Sequence, residues 1–158
     1  MKLVIQRVTS ASVSVDGKAI SRIGRGVLVL LGIHRIDTIE CVDNLARKLC
    51  NIRLWENEGK SWDHSVIDKK FEILIVSQFT LYGYAKGNKP DFHLSMKGED
   101  AFPLYKEFIA KVKGYYGENG AEKVQEGEFG AMMQVELVND GPVTMVLDCD
   151  LKSQTNQN

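Results

Sequence analysis

Proline is scarce in this chain, with three residues in 158, and each marks a place that regular structure must accommodate. Pro90 falls in a turn-rich stretch, Pro103 early in a helical pattern, and Pro142 beside a glycine between two strand-like runs. Cysteine is as rare. Cys41, Cys50 and Cys149 are odd in number and lack Cys-x-x-Cys spacing, which argues against both a disulfide framework and a zinc site. His34, His64 and His93 stand in separate polar segments with no HExxH or other ligand spacing, so each reads as a surface residue. No G-x-S-x-G elbow is present and Ser77 follows Val76 directly, so a Ser–His–Asp mechanism is not expected. A dominant charge is missing too: the formal net charge is −1, and any RNA contact must be local. No apolar run approaches the roughly 20 residues that span a bilayer. The chain opens on a strand-like run, Met1 to Val8, without a charged-then-apolar leader, so the cytoplasm is the expected compartment.

What is present is one domain's worth of chain, 44% apolar and 26% charged. Residues 2–15 and 18–24 read as β, joined at Asp16-Gly17 by a hairpin signal. Gly26 to Ile33 is a short apolar run bounded by glycines and reads as a strand buried on both faces. From Asp37 to about Cys50 the period becomes helical, with Ile39, Val42, Leu45, Ala46 and Leu49 on one face. Asp37 and Glu40 have capping-box spacing. Ile52 to Trp55 reads as a short strand before a polar loop carrying Gly59, and Phe71 to Val76 as a second buried strand. A second helix is predicted from about Asp100 to Val112, with Ala101, Leu104, Tyr105, Phe108, Ile109 and Val112 as its apolar face. That helix tolerates Pro103 only in its first turn, and Gly114 and Gly117 should end it. Strands over 132–138 and 143–148 follow. The sum is a mixed α/β domain over 1–150, sheet-rich with two principal helices, and a polar tail over 151–158 expected to lack order. Two helices cannot cover both faces of a large sheet, so one face is expected to meet a partner subunit.

Two segments carry candidate chemistry. Ser77-Gln78-Phe79-Thr80 ends the second buried strand, where polar residues often face a ligand crevice. Alternation would put Ser77 and Phe79 on one side and Gln78 and Thr80 on the other, so one pocket using both hydroxyls requires the strand to stop or bend here. The bland alternative is that both hydroxyls satisfy strand-end backbone groups. Asn139-Asp140-Gly141-Pro142 reads locally as a hairpin turn, although Pro142 removes a ladder N–H where the next strand begins. The Lys86 to His93 stretch is a turn-rich basic loop in which Lys86, Lys89 and Phe92 could hold phosphates and stack a base, or simply be solvated. Phe129 to Gln134 reads as core, with small residues permitting close packing. Gly24-Arg25-Gly26 lies between strands rather than opening a helix, which argues against a dinucleotide site.

Taken in order, the opening Met1–Val8 run, Ser77-Gln78-Phe79-Thr80-Leu81, Lys86 to Leu94, Phe129 to Val135 and Asn139 to Thr144 resemble the D-aminoacyl-tRNA deacylases. The resemblance covers nearly the whole chain except its tail. It implies a barrel-like β packing across a homodimer that hydrolyses the ester between a D-amino acid and the 3′-terminal adenosine of tRNA, with no cofactor or metal and no membrane. It further implies that Gly141-Pro142 is cis and enters the partner's site, where its carbonyls wall off the space an L side chain needs. Such a wall admits many D-amino acids and cannot exclude glycine, so glycyl-tRNA mischarged on tRNA(Ala) is an expected substrate. Backbone N–H groups near Phe79 and Thr80 are expected to hold the oxyanion, with Ser77 and Gln78 organising the pocket. Either the tRNA 2′-hydroxyl assists water or Thr80 attacks, although no base is apparent to activate Thr80. Arg7 is expected to hold the Gly141-Pro142 segment, and Ala101 and Met133 to line the adenosine pocket. Two other readings are a relative with a trans Gly-Pro bond editing L-alanyl-tRNA, and a non-enzymatic nucleic-acid-binding dimer on the same fold.

Overall fold

Strand β1 (Lys2–Val15) sets the architecture because it is long enough to pair with three other strands. In the computed structural model, which describes residues 1–149, its first half pairs antiparallel with β3 (Gly26–Gly32) and its second half with β2 (Lys18–Ile23). The β1–β2 hairpin turns at Asp16-Gly17, as the sequence predicts. Parallel to β3 lies β6 (Glu72–Ser77), and parallel to β6 lies β9 (Val124–Glu126). The opposite edge of β1 pairs along almost its whole length with β10 (Gln134–Asp148), giving the order β10-β1-β3-β6-β9 with β2 also on β1. The polar segment 151–158 lies outside the described residues.

The expected hairpin at Asn139–Pro142 is not formed. Residues 134–148 make one strand that never reverses, and the Asp140–Val143 segment bows out of it. Val8 pairs with Asn139 and Gln6 with Thr144, so five steps along β10 face two along β1. Local turn chemistry is real here, but pairing on both sides of the loop to a single continuous strand overrides it.

Both buried strands behave as predicted, and alternation assigns their faces. Val27, Val29, Leu31, Ile73 and Ile75 face the helices α1 (Ile39–Asn51) and α2 (Gly98–Tyr116). Leu28, Leu74 and Val76 face the other way and pack on Val8, Ala11, Val13 and Ile23. The second sheet face is therefore covered by the curl of the chain's own sheet, not left open as helix counting suggested. Among the described residues β10 is an edge strand that exposes Val138, Met145 and Val146.

Several local expectations are corrected. Asp37 does not cap α1: it is buried, and its carboxylate pairs with the Met1 ammonium and accepts the His34 N–H at 2.6 Å. Thr38 takes the N-cap position and donates to Glu40 instead, and Ile39, first in the helix, stays exposed. The polar stretch around Gly59 is a hairpin, β4 (Arg53–Asn57) with β5 (Lys60–Ser65). Pro103 is the sixth residue of α2, counting Gly98 as the first, and Gly114 lies inside that helix, which ends at Gly117. Pro103 and Glu99, whose carbonyl loses its donor, both face solvent, where water can satisfy it. A short helix, α3 (Gly120–Lys123), and β9 have no counterpart in the sequence reading. The three thiols form no disulfide, and burial pushes the Cys50 thiol up to about 12.

Phe108 on α2 is fully buried in the core between the helices and the sheet. Phe108→Ala should destabilise the fold by about 3–5 kcal/mol. Urea titration should show a lower midpoint at unchanged slope.

Candidate active site

β6 stops being a strand at Ser77, and that stop builds the site. The Gln78 N–H closes the ladder on the Leu31 carbonyl at 2.8 Å, and a short 3-10 helix then runs over Phe79–Tyr82. Gly32 makes room for this helix, since a Cβ there would meet Leu81 Cβ at 2.9 Å and the Gln78 carbonyl at 3.2 Å. With alternation broken, Ser77, Gln78, Phe79 and Thr80 all line one cavity of about 1110 Å3. Leu31, Ile33 and Val76 form its apolar base, Met96 to Ala101 one wall, and Phe129 to Met133 with Val135 another. The second wall is set by Phe129, whose ring packs against Phe102 and Tyr105 with centroids 5.2 and 5.1 Å away.

Inside, polar atoms are fixed by one another. Gln78 Nε2 donates to Thr80 Oγ1, and Ser95 Oγ donates to the Phe79 carbonyl at 2.7 Å. Leu81 is the first residue of the 3-10 turn with a bonded N–H, donated to the Gln78 carbonyl at 3.3 Å. The N–H groups of Phe79 and Thr80 therefore have no backbone acceptor among the described residues, as the first donors of a helical turn should not. Phe79 is largely exposed and meets Phe92 edge-on at 5.1 Å.

The Lys86 to His93 loop is a small hairpin, β7 (Tyr84–Lys86) with β8 (Lys89–Asp91). It carries Phe92 and His93 to the cavity rim, so His93 is a surface residue as the sequence suggests, but one that borders the cavity. Asp91 accepts from the His93 N–H at 2.9 Å and lies 2.6 Å from its Nδ1. Those two bonds, the backbone one first, hold the Asp91 carboxyl below its usual range. Lys89 borders a shallow neighbouring hollow shared with Thr80 and Phe92, while Lys86 lines neither space.

Ala101 and Met133 line the cavity with the Ser77–Thr80 group; Arg7, Gly141 and Pro142 do not. Those three belong to a separate arrangement at the β1–β10 junction. Arg7 Nε donates to the Asp140 carbonyl at 3.1 Å and lies 3.4 Å from its carboxylate, while Nη1 donates to the Leu54 carbonyl. Arg25 approaches the same carboxylate at 3.8 Å. The carbonyl Arg7 holds is thus the one just before Gly141. The Gly141–Pro142 bond is cis, and both residues are exposed in the single chain. Ser95, Lys97 and His93 are cavity residues that the sequence reading missed as a set, because the His34↔Ser95 bridge that brings them in spans distant segments.

Gly141 has φ +128, and a Cβ there would meet Val143 Cγ2 at 2.9 Å and Val143 N at 3.0 Å. Gly141→Ala should therefore cost about 1–3 kcal/mol. A lowered urea midpoint would report it, and an unchanged midpoint would show that the loop relaxes freely.

Comparison with known proteins places the chain by sequence and by fold. The family described as D-Tyr-tRNA(Tyr) deacylase matches residues 4–148. A Bos taurus protein named D-aminoacyl-tRNA deacylase 1 is 52% identical over 149 residues, covering 94% of this chain and 70% of its own length. A Dictyostelium discoideum protein named D-aminoacyl-tRNA deacylase is 49% identical over 150 residues, covering 94% of this chain and 97% of its own. The solved structure of c-Myc DNA Unwinding Element Binding Protein matches with a TM-score of 0.89 at 51% identity, over 95% of this chain and 99% of that one. A structure described as a probable eukaryotic D-amino acid tRNA deacylase matches with a TM-score of 0.79 at 21% identity, over 94% and 98% of the two chains, a likeness of fold. The chain belongs to the D-Tyr-tRNA(Tyr) deacylase family.

Proposed function

We propose that this protein hydrolyses the ester joining a D-amino acid to the 3′-terminal adenosine of tRNA, in a homodimer whose Gly141–Pro142 segment enters the partner's cavity. One observation carries this reading: the Ser77–Thr80 cavity and the exposed Gly141–Pro142 segment lie apart on one chain. Joined across two chains they make one site. The interface is offered by β10, a fifteen-residue edge strand whose outer side has no partner among the described residues and which exposes Val138, Met145 and Val146.

In that site a rigid backbone wall at the substrate α-carbon leaves room where a D side chain points and none where an L side chain would. Selection is steric, so it tolerates many D side chains and also admits glycine, including glycyl-tRNA mischarged on tRNA(Ala). Arg7 and Asp140 keep the wall in place. The free N–H groups of Phe79 and Thr80 receive the tetrahedral oxyanion, where exclusion of water by the apolar cavity strengthens each bond. Ser77 and Gln78 orient the ester, Ala101 and Met133 flank the adenosine, and Lys86 and Lys89 face the approaching RNA backbone. An aminoacyl ester is already activated, so its neighbouring 2′-hydroxyl suffices to orient water. Thr80 Oγ1 is engaged by Gln78 and is hydrogen-bonded to no base among the described residues, which disfavours it as nucleophile. The cytoplasm, where tRNA is charged, is the compartment this reading requires.

A mixture of D- and L-aminoacyl-tRNA tests the wall: the D-ester should disappear while the L-ester persists at the same enzyme concentration. Equal cleavage of the two would remove the chiral argument. Thr80→Ala should keep single-turnover rates near wild type. A loss on the order of 10³-fold or more would instead make Thr80 the nucleophile.

A second reading draws on one observation, the name of the 51%-identical structure, which states binding to a DNA unwinding element. It requires salt-dependent DNA binding that survives disruption of the cavity. Loss of DNA binding together with the cavity would tie both to one site.

A further inference from the structure

At the cavity rim, His93 holds a polar atom, Nε2, that no other group among the described residues uses. It lines the cavity beside Phe92 with 52% of its side chain exposed. Its Nδ1 lies 2.6 Å from Asp91 Oδ1, which also accepts the His93 N–H. An ionised carboxylate only accepts, so Nδ1 carries the proton and Nε2 is the free nitrogen. Tyr84 fixes the ring from a second side, edge-on with centroids 5.5 Å apart and its hydroxyl 3.2 Å from Nδ1. Of the other polar side chains in the cavity, Ser95 and the Gln78 amide are already engaged within the protein.

We propose that His93 binds a ribose 2′-hydroxyl of the RNA strand where it leaves the cavity, and so favours RNA over DNA at this site. The inference rests on the deacylase reading above. A hydroxyl suits Nε2 in either charge state, since it donates to a neutral imidazole and accepts from an imidazolium. A phosphate suits only the charged ring, and the Asp91 carboxylate beside it offsets that charge. With the ester at the Ser77–Thr80 floor, a half-exposed rim residue meets the nucleotide before the terminal adenosine. The 2′-hydroxyl is the group that distinguishes RNA from DNA there.

The test uses D-aminoacyl-tRNA carrying ribose or 2′-deoxyribose at that preceding nucleotide, with kcat/KM measured for wild type, His93→Ala and Asp91→Asn. The deoxy substitution should cost the wild type about fivefold, the scale of one hydrogen bond. His93→Ala should lose about as much on the ribose substrate and lose nothing further on the deoxy one. Asp91→Asn, which loosens the ring, should fall between the two with the same dependence on the ribose. A deoxy penalty of equal size in wild type and His93→Ala overturns the proposal, as does a variant loss that is the same on both substrates. If the wild type hydrolyses neither substrate, the deacylase reading falls and this inference with it. Wild-type hydrolysis of both keeps the two failures distinguishable.

Discussion

The two-sided pairing of β1 is the constraint from which the rest of the molecule follows. One edge must satisfy β3 and β2 in turn, and the other must satisfy β10 from Lys2 to Ser14. Because β10 pairs at Asn139 and again at Thr144, the intervening residues have to bridge only the length of two β1 residues. At about 3.4 Å per residue that is roughly 7 Å, far less than the extended length of the segment. The surplus chain cannot lie in the sheet, so it bows outward. Arg7, the β1 residue skipped by this pairing, turns to the loop and holds the Asp140 carbonyl. Register in one strand thus presents Gly141 and Pro142 at the surface, and no other element is needed to do it.

The same sheet explains why the cavity lies where it does. β3 and β6 are buried on both faces, by helices on one side and by the curled sheet on the other. Polar residues can enter such strands only at their ends, and Ser77 is the first position where β6 escapes. The 3-10 turn then replaces a ladder with unpaired donors, which have value only where water is sparse and an anion arrives. Leu31, Ile33 and Val76 give the cavity beside this turn an apolar lining. Fold and site are therefore two consequences of one strand terminus.

What the sequence made legible follows the range of the forces involved. The apolar runs at 26–33 and 71–76 and the helical face of α2 express burial, which repeats with local period, and they are buried except for the half-buried Leu30, Phe71, Glu72 and Leu104. The Asp16-Gly17 turn is equally local. By contrast, Asn139–Pro142 looked like a hairpin because turn propensity is local while its outcome is decided by β1, more than 130 residues earlier in the chain. Asp37 failed as a cap for the same reason: a buried ammonium at Met1 competes for its carboxylate. β9 is three residues long and too short to show a period, and Glu58-Gly59 was a hairpin signal left in a stretch dismissed as polar. In the site, the Ser77–Thr80 and Ala101/Met133 expectations converge on one cavity, whereas Lys86 does not line it and His93 does. His93 is exposed, as its polar segment suggests, and its partner Asp91 stands only two residues away.

A filter built from main chain shifts where a protein of this kind is vulnerable. Side chains around a steric wall act only by holding it, so their effects pass through geometry: Arg7 through the Asp140 carbonyl, and Asp140 through its pairing with Arg7 and Arg25. Gly141 is different, because its backbone conformation and the closeness of Val143 leave no place for a Cβ. On the proposed reading the wall and the oxyanion donors are of one kind, backbone groups fixed by strand ends and loops and indifferent to the identity of the D side chain. That indifference is what an editing site for a whole stereochemical class requires. A pocket of recognising side chains would gain affinity for one amino acid and lose the others, whereas a wall that only excludes keeps the class open.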